Sequence, residues 1–175
     1  AAAFPLATLT AWRMVVSKAR VQAGDDVLIW GIGGGVALAA LQICKSLGAR
    51  VWVTSGSEEK LTRARALGAD ELLLHHDVDV GREVRARTGK RGVHVVIDSV
   101  GEKTWGQSLG ALGKRGRLVT CGATSGPKGS TDLRFVFAKH LSLLGSYMGS
   151  RADLLAAAPH FFAGRLKTHV HATLP

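Results

Sequence analysis

The stretch Asp26-Val27-Leu28-Ile29-Trp30-Gly31-Ile32-Gly33-Gly34-Gly35-Val36-Ala37 runs an apolar segment straight into a glycine cluster. Small and apolar residues at helical spacing follow at once (Ala37, Ala39, Ala40, Ile43). This pattern predicts a buried strand that turns sharply into a helix. Glycines at such a turn let backbone N–H groups approach an anion at the helix N-terminus, where aligned peptide dipoles favour negative charge. A pyrophosphate fits that description, so the motif points to a bound dinucleotide. A glycine-rich turn with a purely structural role is the competing reading.

Outward from this turn, strand and helix patterns alternate along the whole chain. An opening helix is expected over Pro5–Val16, with Pro5 in its first turn. The first strand ends at Gly31 and its helix runs to about Leu47, stopping at Gly48. Arg50–Thr54 reads as a second strand, followed by a helix with Ser57 as N-cap and Glu58 and Glu59 set against the dipole. Further strands are expected at Glu71–Leu74, Val93–Asp98, Arg117–Cys121 and Leu141–Ser146. Helices are expected at Val78–Arg87, Thr104–Leu112, Leu133–Ala138 and Arg151–Phe162. Each strand is a short apolar run of the doubly buried type, which predicts an α/β fold with a parallel sheet covered on both faces. Right-handed crossovers then give a Rossmann doubly wound six-stranded sheet of order 3-2-1-4-5-6. One domain, residues 1–175, accounts for the pattern.

Composition narrows the class. With 46% hydrophobic and 21% charged residues, the chain has enough apolar material for a core and reads as globular. No apolar run reaches the ~20 residues that span a bilayer, and Ala1-Ala2-Ala3-Phe4-Pro5 lacks the features of a signal peptide. Two distant cysteines, Cys44 and Cys121, suggest a reducing compartment, with the cytoplasm as the default. The 23 Lys and Arg against 13 Asp and Glu give a net charge of +10, which raises nucleic acid as a partner. The basic residues are dispersed, however, and the densest run, Arg82–Arg91, reads as a solvated helix face and its exit turn. No aromatics interleave with it to stack bases, which argues against nucleic acid.

In a sheet of this order the ligand lies beyond the carboxyl ends of the strands, where strand order reverses. Gly31–Ala37, Thr54–Ser57, Asp98–Gly101 and Cys121–Thr124 would surround that crevice. An NAD site usually places Asp or Glu on the second strand's tip to bind the ribose hydroxyls. Here the tip is Thr54-Ser55-Gly56-Ser57, with Lys60 one turn on, so Ser55, Ser57 and Lys60 are candidates to hold a 2′-phosphate and NADP(H) is favoured over NAD(H). Glu58 and Glu59 could repel that phosphate or bind a ribose, although matching the helix dipole suffices to explain them. His75-His76-Asp77 resembles a metal cluster, but adjacent loop histidines point apart and no further ligand is spaced for closure. His169 and His171 would share a face of an extended tail. Cys121 reads as a structural thiol beside the crevice, and Asp98 either caps the turn after the fourth strand or touches ligand.

The string from Gly24-Asp25-Asp26 through Gly34-Gly35-Val36, then Leu47-Gly48-Ala49-Arg50-Val51 and Leu67-Gly68-Ala69-Asp70, resembles the medium-chain dehydrogenase/reductase superfamily. Its zinc-type alcohol dehydrogenases and quinone oxidoreductases are the branches most similar. Thr10-Ala11-Trp12, Asp98-Ser99-Val100-Gly101 and Gly116-Arg117-Leu118-Val119 extend the resemblance, in order, over nearly the whole chain. The resemblance implies an NAD(P)(H)-dependent oxidoreductase that passes a hydride to or from a carbonyl, alcohol or activated alkene. It places Gly34, Gly35 and Val36 against the pyrophosphate, and Ser57 and Lys60 at the adenosine ribose or its phosphate. Val100, Cys121, Gly122 and Ser146 would lie near the nicotinamide, with Thr10 on the substrate side.

The glycine turn is similar to the quinone-reductase form more than the shorter alcohol-dehydrogenase form, and it ends in Ala37 where the family commonly has Gly. The family's GroES-like catalytic domain, with its zinc ligands, is not in this sequence, so the catalytic residues are unknown and no metal ligand is assigned. The chain looks like an excised cofactor domain, expected to bind dinucleotide with little or no turnover. A non-catalytic dinucleotide-sensing module, basic enough to touch RNA, is one alternative. An oligomerisation unit is another, since the sixth strand is an edge that could pair across a dimer, and a homodimer through that edge is expected of the chain.

Overall fold

The computed structural model describes residues 4–168, and His169 and His171 lie outside that range. Six strands form one all-parallel sheet: β1 (Asp26–Ile29), β2 (Arg50–Ser55), β3 (Glu71–Leu74), β4 (Val93–Asp98), β5 (Leu112–Thr120) and β6 (Ser142–Gly145). Their spatial order, β3-β2-β1-β4-β5-β6, is the doubly wound order expected from the alternation. The helices are α1 (Pro5–Trp12), α2 (Gly35–Ser46), α3 (Glu58–Ala66), α4 (Val80–Arg87), α5 (Glu102–Ala111), α6 (Leu133–Lys139) and α7 (Arg151–Phe162).

Side-chain parity along each strand feeds two cores. Val27 and Ile29 of β1, Val51 and Val53 of β2, and Val95 and Ile97 of β4 pack with α1, α2, α3 and α7. Leu28, Trp30, Trp52, Val96 and Leu118 point to the other face, against Val80 and Val84 of α4 and Leu109 of α5. Fully burying one such aliphatic side chain contributes about 1.5–3 kcal/mol, which is why runs apolar on both faces end up in the middle of the sheet. Trp52 is fully buried, and its indole N–H donates to Asp26 Oδ1 at 3.0 Å, so its polar atom is satisfied. Among the described residues no helix is long and apolar enough to cross a membrane.

Several boundaries shift by one or two residues, as at the starts of α4 and α5, and two departures change the backbone itself. The opening helix does not stop at Val16: a π-helical segment carries it through Arg13–Lys18, with Ala19 N–H donating to the Met14 carbonyl at 2.9 Å. β5 begins at Leu112, not Arg117, because Leu112 pairs with Val93 across a register shift. A bulge containing Arg115 at φ 60° keeps the strand running from Leu112.

The π-helical segment has a structural partner. Arg13 Nη1 (3.1 Å) and Ser17 Oγ (2.5 Å) both reach the carboxylate of Asp153, which also closes a capping box with Ser150 at the start of α7. Although burial opposes it, these donors hold the Asp153 carboxyl at about 2, below its ordinary 3.8. A carboxyl whose folded-state pKa is depressed stabilises the fold above its unfolded value, and that contribution drains away as pH falls through the folded value. Asp153→Asn should therefore cost ~2 kcal/mol at pH 7 and almost nothing near pH 2. Urea unfolding of both proteins across that range gives the test, and a pH-independent difference would contradict it.

Candidate functional site

The turn from β1 into α2 is pinned from one side. Gly31 N–H donates to Thr54 Oγ1 (3.1 Å) and Ile32 N–H to the Thr54 carbonyl (2.8 Å), so the tip of β2 fixes where the glycines sit. Gly33 has φ +127°, a conformation open to glycine and not to side-chain-bearing residues. Gly33, Gly34 and Gly35 are all exposed. Gly34 occupies the N-cap of α2 in extended conformation, with no side-chain cap and no acidic residue in the first turn. The first amides of this 12-residue helix therefore face outward with their dipole unanswered by a side chain. Ala37 is buried and packs in the core, as close helix–strand contact requires.

Lys60 completes this region. A Cβ built on Gly33 would stand 3.0 Å from Lys60 Cδ and 3.6 Å from Nζ, so the lysine stem lies along the glycine turn and brings its ammonium to it. Two features set that placement: Ser57 Oγ caps α3 by accepting from Lys60 N–H, and Lys60 then sits in the first turn facing α2. Glu59, one of the two acids beside it, pairs with Arg63 one turn on. Ser55 is buried, with its Oγ accepting from Ser57 N–H at 3.1 Å, so Ser55 shapes the turn while Ser57 and Lys60 present polar groups at its rim.

The other expected residues gather beyond β4, β5 and β6. Val100 packs toward Gly31, whose built Cβ would be 3.7 Å from Val100 Cγ2. A cavity of about 850 Å³ opens beside it, lined by Cys121, Gly122 and Ser146 together with Arg13, Trp105 and Tyr147. Gly122 has no room for a side chain, since a Cβ would stand 2.8 Å from the Ser99 carbonyl oxygen. Cys121 is half-buried, and burial followed by the charge of Asp98 pushes its thiol pKa up, so it does not serve as a ready thiolate. Ser146 is buried, its N–H donating to the Thr120 carbonyl, and its Oγ has no partner among the described residues. A buried hydroxyl without a partner is uncommon, and this one lines a cavity large enough for a ligand.

Thr10 is also buried, and its hydroxyl donates to the Leu6 carbonyl at 2.8 Å, bound to its own helix. Asp98 is a fully buried structural anchor. Its oxygens accept from Val100 N–H, Gly101 N–H, Thr104 Oγ1 and Ser108 Oγ. His75 and His76 lie against Gly56 at the tip of β2, with ring centroids 4.6 Å apart. Burial and then the neighbouring His76 lower the His75 pKa. In sequence the pair suggests only a metal cluster. The order 3-2-1 already puts the end of β3 beside the end of β2 and could have placed the pair at the crevice. Among the described residues, no three His, Cys, Asp or Glu are grouped to hold a metal.

Comparison with known proteins gives a consistent neighbourhood. A family model described as zinc-binding dehydrogenase matches residues 35–163. A quinone oxidoreductase of Salmonella typhimurium is 34% identical over 169 residues, covering 93% of this chain and 51% of the relative. A quinone oxidoreductase of Pseudomonas aeruginosa is 35% identical over 167 residues. Among solved structures, one described as an NAD-dependent alcohol dehydrogenase superposes with a TM-score of 0.89 at 45% identity, covering 95% of this chain and 48% of that one. A 2-octenoyl-CoA carboxylase reductase, solved with NADP and 2-octenoyl-CoA, gives 0.88 at 29% identity over 95% of this chain and 42% of that one. The chain thus spans about half the length of the relatives it matches.

Proposed function

The chain belongs to the zinc-binding dehydrogenase family, within the medium-chain dehydrogenase/reductase superfamily, and on that premise we propose that residues 1–175 form the dinucleotide-binding domain of an NAD(P)(H)-dependent oxidoreductase. The cofactor would supply a hydride acceptor or donor at its nicotinamide ring for a small carbonyl, alcohol or activated-alkene substrate. The uncapped α2 N-terminus, with Lys60 laid over Gly33, carries this reading. The amides of Gly34, Gly35 and Val36 would hold the pyrophosphate by dipole and hydrogen bond. Val100, Cys121 and Gly122 would wall the nicotinamide side, and the unpartnered Ser146 Oγ would meet a polar group there. Thr10, its hydroxyl already bound to Leu6, would border the substrate side through its methyl face. The substrate chemistry itself would draw on residues outside these 175, as would any zinc site, so the isolated chain should bind cofactor and turn over little or nothing.

We favour NADP(H). The β2 tip offers Ser57 and Lys60 and no carboxylate. Lys60→Ala should weaken NADPH binding about tenfold more than NADH binding, since the 2′-phosphate that the ammonium would pair with is present in NADPH alone. Fluorescence titration with both cofactors measures this, and equal losses would remove the NADP preference. For assembly, β6 is one of the two sheet edges, and Leu143 on it and Leu133, Phe135 and Phe137 on α6 are exposed apolar residues suited to a homodimer contact. The unpaired thiols of Cys44 and Cys121 suit a reducing compartment such as the cytoplasm.

A further inference from the structure

At the end of the sheet opposite the glycine turn, where β4 and β5 begin, lies a second cavity of about 380 Å³. Arg85 of α4, Lys90 and Arg91 of the following turn, His94 of β4, Lys114 of β5 and Lys139 of α6 line it. The rest of the wall is Gly92, Val93 and Gly113, with no carboxylate. Of these five cations only Arg91 has an acid within 4.0 Å among the described residues, Asp26 at 3.6 Å. His94 Nδ1 accepts from Asp26 N–H at 2.8 Å, which leaves the proton on Nε2 and makes the ring a further donor.

The floor is built from closely packed backbone. A Cβ on Gly92 would lie 2.6 Å from both the Ala111 carbonyl oxygen and Gly113 N, and one on Gly113 would lie 2.5 Å from the Arg91 carbonyl oxygen. Lys90 holds φ +65°, a conformation non-glycine residues seldom adopt. Lys139 Nζ donates to the Leu112 carbonyl at 3.0 Å, half-buried beside the like charge of Arg85, and both burial and that charge lower its pKa. Helix dipoles account for Arg85 and Lys139, which sit in the last turns of α4 and α6. They do not account for Lys90, Arg91 and Lys114 converging on the same concavity.

We propose that this cavity binds a compact polyanion carrying two or more linked phosphoryl groups. Five cations and a ring N–H around one concavity outnumber what a single phosphate can contact, and linked phosphoryl groups match a spread of charge across it. The wall offers no aromatic platform apart from His94, so the recognised chemistry is the phosphoryl charge and not a base. The site is separate from the α2 N-terminus and does not depend on the dinucleotide reading.

The test is calorimetric titration of the full chain with inorganic tripolyphosphate and orthophosphate at constant ionic strength. Tripolyphosphate should bind at least tenfold more tightly than orthophosphate. The double variant Arg85→Gln, Lys114→Gln, which removes two positive charges, should lose at least tenfold, while Arg65→Ala, an exposed cation elsewhere, should change nothing. Backbone amide shifts on tripolyphosphate addition should centre on residues 90–94 and 113. Equal weak binding of the two anions would reduce the site to a counterion atmosphere and overturn the proposal. So would loss of binding in Gly34→Asp but not in the double variant, which would put the anion at α2. Tighter binding of a short single-stranded RNA to the same residues would assign the surface to nucleic acid instead.

Discussion

Asp98→Ala is expected to lower the free energy of unfolding by about 4 kcal/mol, the largest single-residue loss argued for this fold. The carboxylate is wholly inaccessible to solvent. Its Oδ1 accepts from Val100 N–H (2.8 Å) and Gly101 N–H (3.1 Å), and its Oδ2 from Thr104 Oγ1 and Ser108 Oγ, both at 2.8 Å. Alanine would leave two backbone amides and the Ser108 hydroxyl facing a dry gap, while Thr104 Oγ1 keeps the Gly101 carbonyl at 3.1 Å as an acceptor. Each unsatisfied buried donor costs roughly 1–3 kcal/mol, and since the three share one site their sum is less than additive. The same bonds hold Val100 and Gly101 at the mouth of the crevice and start α5, so dinucleotide affinity should fall with stability. Asp98→Asn keeps one oxygen for the two amides, and the hydroxyls can rotate to accept from its NH₂, so it should cost about half as much. Urea unfolding at neutral pH measures both. A loss below 1 kcal/mol for alanine would mean that water or a shifted turn replaces the carboxylate.

The role of Asp98 was half legible in the sequence. Its place at a strand end marked it as a cap or a ligand contact. What decides between them is that Thr104 and Ser108, four apart, share the face of α5 that looks back at the strand. Strand order was legible because each short run is apolar on both faces and is followed by a helix, which leaves few topologies. The π-helical segment at Arg13–Lys18 was not legible, because the widened turn is set by Arg13 and Ser17 reaching a residue more than 130 positions away. Nor was the basic cavity. The run Arg82–Arg91 read as one solvated face, but the fold divides it. Arg82 pairs with Asp79 and Arg87 with Glu83 and Glu71, whereas Arg85, Lys90 and Arg91 turn to a concavity completed by Lys114 and Lys139. At the crevice, the glycine turn and the β2 tip were legible as local motifs. The orphaned Ser146 hydroxyl and the approach of Lys60 to Gly33 depend on packing between elements, which periodicity does not record.

Gly34→Asp is expected to move stability and dinucleotide affinity in opposite directions. Gly34 is the N-cap of α2 at φ −78°, ψ 149°, the conformation capping residues adopt, and a Cβ there would meet nothing nearer than the Gly31 carbonyl oxygen at 3.8 Å. Aspartate can therefore enter without strain and supply the side-chain acceptor the helix lacks, a gain of a few tenths of a kcal/mol. The same carboxylate would stand where the pyrophosphate is proposed to bind. At an effective dielectric near 20, a charge about 5 Å from a phosphate charge costs about 3 kcal/mol, a loss of roughly a hundredfold or more in affinity for NADPH. Gly34→Asn offers a similar cap without the charge and should keep affinity within about tenfold, so the pair separates repulsion from crowding. Thermal unfolding and fluorescence titration of the three proteins decide the matter. If aspartate binds NADPH as the parent chain does, the α2 N-terminus is not the phosphate site. If asparagine and aspartate lose affinity equally, shape and not charge is what the glycine preserves. A more stable protein that no longer binds would show that this helix is left uncapped for the ligand's sake, since the fold by itself gains from a cap there.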